Sequence, residues 1–290
     1  MTRILVTGSS GQLGSEIKEL SVRFSGYDFQ FTDNPELNIT DPEATITFIN
    51  DFSPAWIINC AAYTAVDKAE EEEALAALVN RTGVENIVKA IGGTQCRLVQ
   101  ISTDYVFDGT STIPYTEEDR TSPISAYGRT KLAGEIAALS WPFAMVIRTS
   151  WLYSSYGQNF VKTILQKAGS SDGIDVVADQ TGSPTYAADL ASAILEIISG
   201  TIQNRHIFIP GVFNYSGEGH CSRYDLAIEV IAASGYDCRV NAVRSNAYPS
   251  KVRRPSFSVL DNSKIKETYN ISIPHWRVSL NSCISKINMI

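Results

Sequence analysis

The chain has 290 residues, of which 44% are hydrophobic and 19% are charged, and its formal net charge at pH 7 is −7. This composition is typical of globular proteins with a large apolar core, and it excludes disordered and fibrous classes. The acidic balance, with no basic cluster longer than Arg253-Arg254, argues against a nucleic-acid partner.

The cysteines and the apolar runs indicate the compartment. The five cysteines are far apart in the sequence and form no CxxC pair, which predicts reduced thiols in a cytoplasmic protein. The apolar run at the start, Ile4 to Val6, is too short for a signal peptide, and no long apolar stretch follows. We therefore expect neither secretion nor a membrane partner.

In the first half of the chain, short β-rich apolar runs alternate with segments of helical period. This alternation predicts right-handed βαβ units around a parallel sheet, that is, a Rossmann-type doubly wound α/β fold. The predicted strands are Ile4–Thr7, Asp28–Thr32, Ala55–Cys60, Arg97–Ser102 and Ala144–Thr149. The predicted helices are Gln12–Phe24, Pro42–Asp51 with Asp41 as cap, Lys68–Ile91 and Ala126–Leu139.

After Ser150 the alternation is less regular. Helical segments are predicted near 159–167, 186–198 and 224–233, separated by turn-rich pieces. We expect a first domain over residues 1–150 and a smaller C-terminal lobe over 151–290, with some segments of the lobe returning to the first domain. No linker marks the junction.

A glycine-rich segment, Gly8-Ser9-Ser10-Gly11-Gln12-Leu13-Gly14, follows the first predicted strand and begins the first predicted helix. Glycines allow a tight turn and the close approach of a diphosphate to the free N–H groups at a helix N-terminus. Because the spacing is GxxGxxG rather than the more frequent GxGxxG, the glycines alone are weak evidence. Their place between strand and helix predicts a dinucleotide-binding loop rather than an ordinary flexible one.

Asp33 ends the second predicted strand, about 20 residues beyond the glycines, where an acidic residue hydrogen-bonds the adenosine ribose in such folds. A carboxylate repels a 2′-phosphate, which favours NADH, although a nearby Lys or Arg would admit NADPH. The alternative is an aspartate in a solvent-exposed turn.

Tyr127 and Lys131 lie four residues apart in the predicted helix 126–139, and this spacing places both on one face. An ammonium at about 4 Å would stabilise the phenolate by about 4 kcal/mol, or roughly three pKa units, which would make the tyrosine an effective general acid. Thr103, at the carboxyl end of a strand, is the predicted neutral donor to a developing oxyanion. The alternative is an ordinary amphipathic pair.

Several longer motifs accompany these residues and give the chain a resemblance to a known family. They are Asn59 to Asp67 (NCAAYTAVD), Ser102 to Gly109 (STDYVFDG), Tyr127 to Glu135 (YGRTKLAGE), Arg148 to Tyr153 (RTSWLY), Asp179 to Thr185 (DQTGSPT), Arg254-Pro255 and Leu260-Asp261. The chain resembles the extended short-chain dehydrogenases, and among them the dTDP-4-dehydrorhamnose reductases.

The resemblance covers nearly the whole chain and implies reduction of the C4 ketone of dTDP-4-dehydro-L-rhamnose with NADPH or NADH. The implied catalytic residues are Thr103, Tyr127 and Lys131. The cofactor residues, from the loop and the resemblance together, are Gly8, Gly11, Gln12, Leu13, Gly14, Asp33, Ala61, Ala62, Tyr63, Arg148, Thr149 and Ser150. The substrate residues are Thr64, Val66, Asp104, Tyr105, Phe107, Trp151 and Arg254.

Alternatives to this function remain open from the sequence. They are a reductase of another nucleotide-linked deoxysugar ketone and a dinucleotide-binding regulatory subunit without catalysis. Some members of the family hold magnesium between carboxylates at a dimer contact. Glu16 stands near one such place, but Ala188 and Ser192 occupy positions where other members carry acids, and we expect no metal requirement. The oligomeric state is not readable from one sequence, and a homodimer is one option.

Overall fold

The structure, a computed structural model, describes residues 1–247 and 252–289. The strands are β1 (Thr2–Thr7), β2 (Tyr27–Thr32), β3 (Trp56–Asn59), β4 (Arg97–Thr103), β5 (Ala144–Thr149), β6 (Leu152–Tyr153), β7 (Gly173–Val177), β8 (Thr181–Gly182), β9 (Thr185–Tyr186), β10 (Gly211–Asn214), β11 (Cys221–Ser222), β12 (Arg239–Val243) and β13 (Phe257–Ser258). The helices are α1 (Gln12–Ser21), α2 (Pro42–Phe52), α3 (Val66–Ala69), α4 (Glu73–Ala77), α5 (Gly83–Ile91), α6 (Ala126–Leu139), α7 (Phe160–Ala168), α8 (Ala187–Ile202), α9 (Arg223–Ser234), α10 (Ser263–Tyr269) and α11 (Trp276–Ile287).

The main sheet has six parallel strands in the order β10-β5-β4-β3-β1-β2, which confirms the predicted Rossmann-type fold. The middle strands are continuous buried apolar runs because helices cover both faces of a parallel sheet. Strand β3 is buried along its length, and so is β5. The chain order reverses across β1, so the crevice at the carboxyl ends of β1 and β3 is the expected ligand site of such a sheet.

One predicted helix, Lys68–Ile91, is wrong as a single element. It is divided into α3, α4 and α5, with a π-helical turn at Leu78–Thr82 between the last two. The break between α3 and α4 falls at Glu70 to Glu72, where Glu70 accepts from the Ala126 N–H of α6. Helix α6 has the predicted bounds, and Asp41 caps α2 by accepting from the N–H groups of Glu43 and Ala44.

Segments from the second half of the chain also pack on the main sheet and its helices. Strand β10 adds to the edge of the main sheet beside β5, and α8 packs along α1. The remainder of the second half has its own apolar core, in which Trp276 of α11 and Tyr153 are fully buried. Its short sheets include the parallel pair β7 and β12.

All five cysteines are free thiols. Within the described ranges, 1–247 and 252–289, no helix is both long enough and apolar enough to cross a bilayer.

Candidate functional site

A cavity of about 1840 Å³ opens at the carboxyl ends of the sheet strands and extends toward the C-terminal lobe. It brings together the glycine-rich loop, the end of β4 and one face of α6. Thr103, Tyr127 and Lys131 all line it, in the same space as Gly8 and Gly11. The three residues predicted to be catalytic therefore face the predicted dinucleotide loop.

Most other predicted site residues line the same cavity. They are Gln12, Leu13, Gly14, Asp33, Ala61, Ala62, Thr149 and Ser150 from the cofactor set, and Thr64, Val66, Asp104, Tyr105, Trp151 and Arg254 from the substrate set. Tyr63, Phe107 and Arg148 are not among the lining residues, and each contacts neighbouring protein groups instead.

The glycine-rich loop fits a dinucleotide. Gly8 has a φ of 66°, and a Cβ there would lie 2.5 Å from the backbone nitrogen of Ala61. A Cβ at Gly14 would lie 2.4 Å from the carbonyl oxygen of Gly8, so the loop and α1 can pack this closely only with glycine. Gly11 precedes α1 and provides no side-chain cap, which leaves the first-turn N–H groups available to a diphosphate. The buried hydroxyl of Thr149, for which residues 1–247 and 252–289 provide no hydrogen-bond partner, is a further polar group on the cavity wall.

Asp33 is fixed at the edge of this loop. One carboxylate oxygen accepts from the Ser10 N–H at 2.9 Å and the other from the Asn34 N–H at 2.9 Å. The carboxylate is therefore part of the cavity wall rather than a free group in a turn.

The expectation of a lowered Tyr127 pKa is wrong for the protein as the structure shows it. Burial raises the pKa of Tyr127 above its ordinary value, a hydrogen bond with Thr103 opposes the increase, and the negative charge of Asp104 adds to it. The four-residue spacing on α6 therefore does not by itself make this phenol acidic.

The ammonium of Lys131 donates a hydrogen bond to the main-chain oxygen of Ile101 at 2.6 Å. Burial lowers the pKa of Lys131 to about 8, and the nearby Glu135 opposes this decrease. Lys131 is thus held at the cavity wall, and its pKa is low enough for its charge to change with pH near neutrality.

Thr103 and Asp104 form a hydrogen-bonded pair next to Tyr127. The Thr103 hydroxyl donates to Asp104 Oδ1 at 2.9 Å and accepts from the Tyr105 N–H at 3.2 Å. Burial raises the pKa of Asp104 to about 6, against the hydrogen bond from Thr103. In this arrangement the single hydroxyl proton of Thr103 is directed to the carboxylate and not into the cavity.

From the sequence, the four-glutamate run that starts at Glu70 is interpreted as a solvent-exposed helix start. In the structure it contacts the first turn of α6. Glu70 accepts from the Ala126 N–H at 2.7 Å, at the first residue of α6. Glu73 forms a two-bond ion pair with Arg129, with distances of 2.9 and 2.8 Å. The helix that carries Tyr127 and Lys131 is therefore held at its N-terminal turn by a segment that sequence reasoning did not assign to the site.

Tyr63 forms hydrogen bonds with other residues of the protein and does not line the cavity. Its backbone N–H donates to Asn80 Oδ1 at 2.8 Å, and its hydroxyl donates to Glu72. Asn80 belongs to the π-helical turn and also donates to Thr130 of α6 at 3.1 Å. Through Asn80, the loop 61–64 and α6 are fixed relative to each other.

Arg148 and Phe107 are buried behind the side chains that line the cavity. The guanidinium of Arg148 pairs with Glu135 of α6 at 2.7 Å, with side chains only 5% and 2% exposed. Glu135 also accepts from the Ser102 hydroxyl. Phe107 stacks on Tyr115 with ring centroids 4.2 Å apart and lies under the Arg148 guanidinium. Both residues support β4, β5 and α6 and do not contact the cavity space.

Glu16, at the position that the resemblance linked to magnesium, is buried in α1. It accepts from Ser154 Oγ at 2.6 Å and from the Lys286 ammonium at 2.8 Å. Over 1–247 and 252–289, no three or more His, Cys, Asp or Glu side chains are grouped as metal ligands.

Trp151 follows β5 with a φ of 46°, which is strained for a bulky side chain. A Cβ at Gly182 would lie 2.4 Å from Trp151 Cε2, so the indole packs closely against β8 only because residue 182 is glycine. The guanidinium of Arg223 lies 3.6 Å from the ring centroid of Trp151. Arg223 is a cavity residue that sequence reasoning missed, and no motif in the sequence indicates it.

Comparison with known proteins agrees with this geometry. The model of the RmlD substrate binding domain matches residues 1–289. A dTDP-4-dehydrorhamnose reductase of Sinorhizobium fredii is 39% identical over 96% of this chain and 95% of its own length. A probable dTDP-4,6-dihydroxy-2-methyloxan-3-one 4-ketoreductase of Streptomyces antibioticus is 37% identical over 97% of this chain and 95% of its own.

Two solved structures are also very similar. A dTDP-4-dehydrorhamnose reductase of Clostridium acetobutylicum superposes with a TM-score of 0.94 at 39% identity, covering 99% of this chain and 100% of that one. The Bacillus anthracis reductase in complex with NADP gives 0.93 at 34% identity, with coverage of 99% and 100%. The chain therefore belongs to the dTDP-4-dehydrorhamnose reductase family.

Proposed function

We propose that the protein reduces the C4 ketone of dTDP-4-dehydro-L-rhamnose to dTDP-L-rhamnose with NADPH or NADH. The observation that carries the proposal is the shared cavity, in which Thr103, Tyr127 and Lys131 face the glycine-rich loop. The names of the similar proteins support the substrate, and the NADP complex of one of them supports the cofactor. A ketone is a substrate of the appropriate kind because the site combines a phenol, a hydroxyl and an ammonium at one point.

The residues divide the work as follows. A bound NAD(P)H supplies the hydride to the carbonyl carbon. Tyr127 donates its phenolic proton to the oxygen as negative charge develops there. Lys131, whose ammonium donates to the main-chain oxygen of Ile101, contributes positive charge to the same cavity wall. Thr103 supplies a second hydroxyl to the cavity that contains the phenol. The raised pKa of Tyr127 keeps the phenol protonated and ready to donate.

A second candidate substrate has a specific observation in its favour. The Streptomyces antibioticus relative is named for a different deoxysugar ketone, yet it is about as similar to this chain as the reductase of Sinorhizobium fredii. Overall identity therefore does not select between the two sugars. The same cavity would reduce either ketone by the same proton and hydride transfer.

The test mixes the purified protein with dTDP-4-dehydro-L-rhamnose and follows loss of absorbance by NADPH and NADH in separate reactions. We expect oxidation of at least one cofactor, no oxidation without the sugar, and slower oxidation with other 4-keto-6-deoxysugars. Faster turnover of another ketone would assign that sugar instead. Tight binding of the dinucleotide with no turnover on any sugar would support a regulatory subunit and overturn the proposal.

Asp104 predicts a pH dependence. Above pH 6 the carboxylate is ionised and retains the Thr103 proton; below about 6 it is protonated and can donate to Thr103, which frees that hydroxyl proton for the substrate oxygen. We therefore expect the rate of reduction to rise as the pH falls through about 6. The amide of Asp104→Asn does not titrate, so its pH profile should lack this inflection. An unchanged inflection in the variant would show that another group titrates.

A further inference from the structure

We propose that Arg223 binds the diphosphate of the nucleotide sugar, together with Arg254. The inference rests on the proposed function, because it assigns a subsite for that substrate. It concerns a residue that neither the sequence motifs nor the family resemblance singled out.

Most of the positive charge of the cavity comes from the second half of the chain. Among the described lining residues, the cationic side chains are Lys131, Lys167, Arg223, Arg253 and Arg254. Together they would attract an anionic ligand, such as the diphosphate of a nucleotide sugar.

Arg223 is held rigidly without using its hydrogen bonds. Its guanidinium lies 3.6 Å from the ring centroid of Trp151 and 5.0 Å from that of Phe160. Stacking occupies the faces of the guanidinium plane, whereas its N–H donors point outward within the plane. Within residues 1–247 and 252–289, the guanidinium forms no hydrogen bond or ion pair. A fixed fork of free donors matches two phosphate oxygens.

Arg223 and Arg254 both line the cavity. The positive charge of each opposes the increase in pKa that burial causes at Tyr105. Arg254 is partly compensated by Asp67, 2.8 Å away. Burial lowers the pKa of Arg223 to about 10, so the group is still charged at neutral pH. Two guanidiniums in one cavity favour a ligand with more than one negative charge.

The aromatic support makes the position specific. Trp151 contacts Gly182 closely, and the Arg223 guanidinium lies 3.6 Å from its ring centroid. A Cβ at Gly182 would overlap the indole, so this contact limits the movement of the indole toward β8 and helps to fix the guanidinium.

The test measures affinities of the whole chain, with NADP⁺ present, for dTDP and for thymidine by calorimetry. Arg223→Met keeps an unbranched apolar stem on Trp151 but removes the charge. We expect this variant to weaken dTDP binding by about 10- to 100-fold, with a change of less than about threefold for thymidine. Arg223→Lys, which keeps the charge without the planar fork, should lie between wild type and Arg223→Met.

Arg205, which is exposed and outside the cavity, provides the matched control, and Arg205→Met should leave both affinities unchanged. The affinity of wild type for dTDP should also fall more steeply with salt than that of Arg223→Met. An equal loss for dTDP and thymidine, or no loss for dTDP, would overturn the inference. Because no ketone is involved, the outcome is independent of whether the protein reduces dTDP-4-dehydro-L-rhamnose.

Discussion

Tyr127→Phe should lower the rate of ketone reduction by at least about 100-fold, because the variant has no proton to give to the oxygen that receives negative charge. The ring remains, and so does its edge-to-face packing against Tyr105, with centroids 5.5 Å apart. We therefore expect NADPH affinity and the unfolding midpoint to stay close to those of wild type. The measurement is single-turnover cofactor oxidation at saturating substrate.

A matched control is Tyr236→Phe, which removes a hydroxyl from an exposed tyrosine that does not line the cavity. It should reduce the ketone at the wild-type rate. If Tyr127→Phe also turns over normally, Tyr127 is not the proton donor, and the acid must be sought at another group on the cavity wall.

Arg148→Met should lower the free energy of unfolding by about 3–5 kcal/mol, because it leaves the buried carboxylate of Glu135 without its counter-charge. Both side chains are at most 5% exposed, and Ser102 alone cannot replace the pair. Urea denaturation monitored by circular dichroism measures the change.

The comparison is Arg129→Met, which removes the other arginine pair of α6. Its partner Glu73 lies 2.8 Å away, but the two side chains are 45% and 46% exposed, so the cost should be less than about 1 kcal/mol. Replacing both members of the buried pair, as Arg148→Met with Glu135→Leu, should recover much of the stability. Equal costs for Arg148→Met and Arg129→Met would show that burial does not determine the strength of these pairs.

The fold could be predicted largely from the sequence because each strand and helix of a doubly wound sheet has a local sequence pattern. Each central strand is an apolar run, and each helix has a periodic face and terminal signals such as Asp41. The bounds of α6 agree exactly with the pattern. The division of residues 68–91 was missed by the helical pattern, which carries no information on contacts with α6 such as those of Glu70 and Asn80, more than 45 residues away in sequence.

The site could be predicted where a residue type is required by backbone geometry or by a short motif. Gly8 and Gly14 are examples, since a Cβ at either position would overlap main-chain atoms. The spacing of residues in the sequence does not show which groups a side chain contacts. Arg148 occurs in a matching motif but turns to Glu135, and Arg223 occurs in no motif but lies in the cavity. The raised pKa of Tyr127 also could not be predicted, because it depends on burial and on the charge of Asp104.

The link between Glu16 and Lys286 has a consequence for how the protein is made. The two residues are 270 positions apart, so the carboxylate of α1 is synthesised long before the ammonium of α11 exists. Until α11 docks, the Glu16 carboxylate has the Ser154 hydroxyl as a donor but lacks the Lys286 ammonium. The helix that begins at the glycine-rich loop is therefore completed by a segment distant in sequence, and removal of the Lys286 ammonium should destabilise α1.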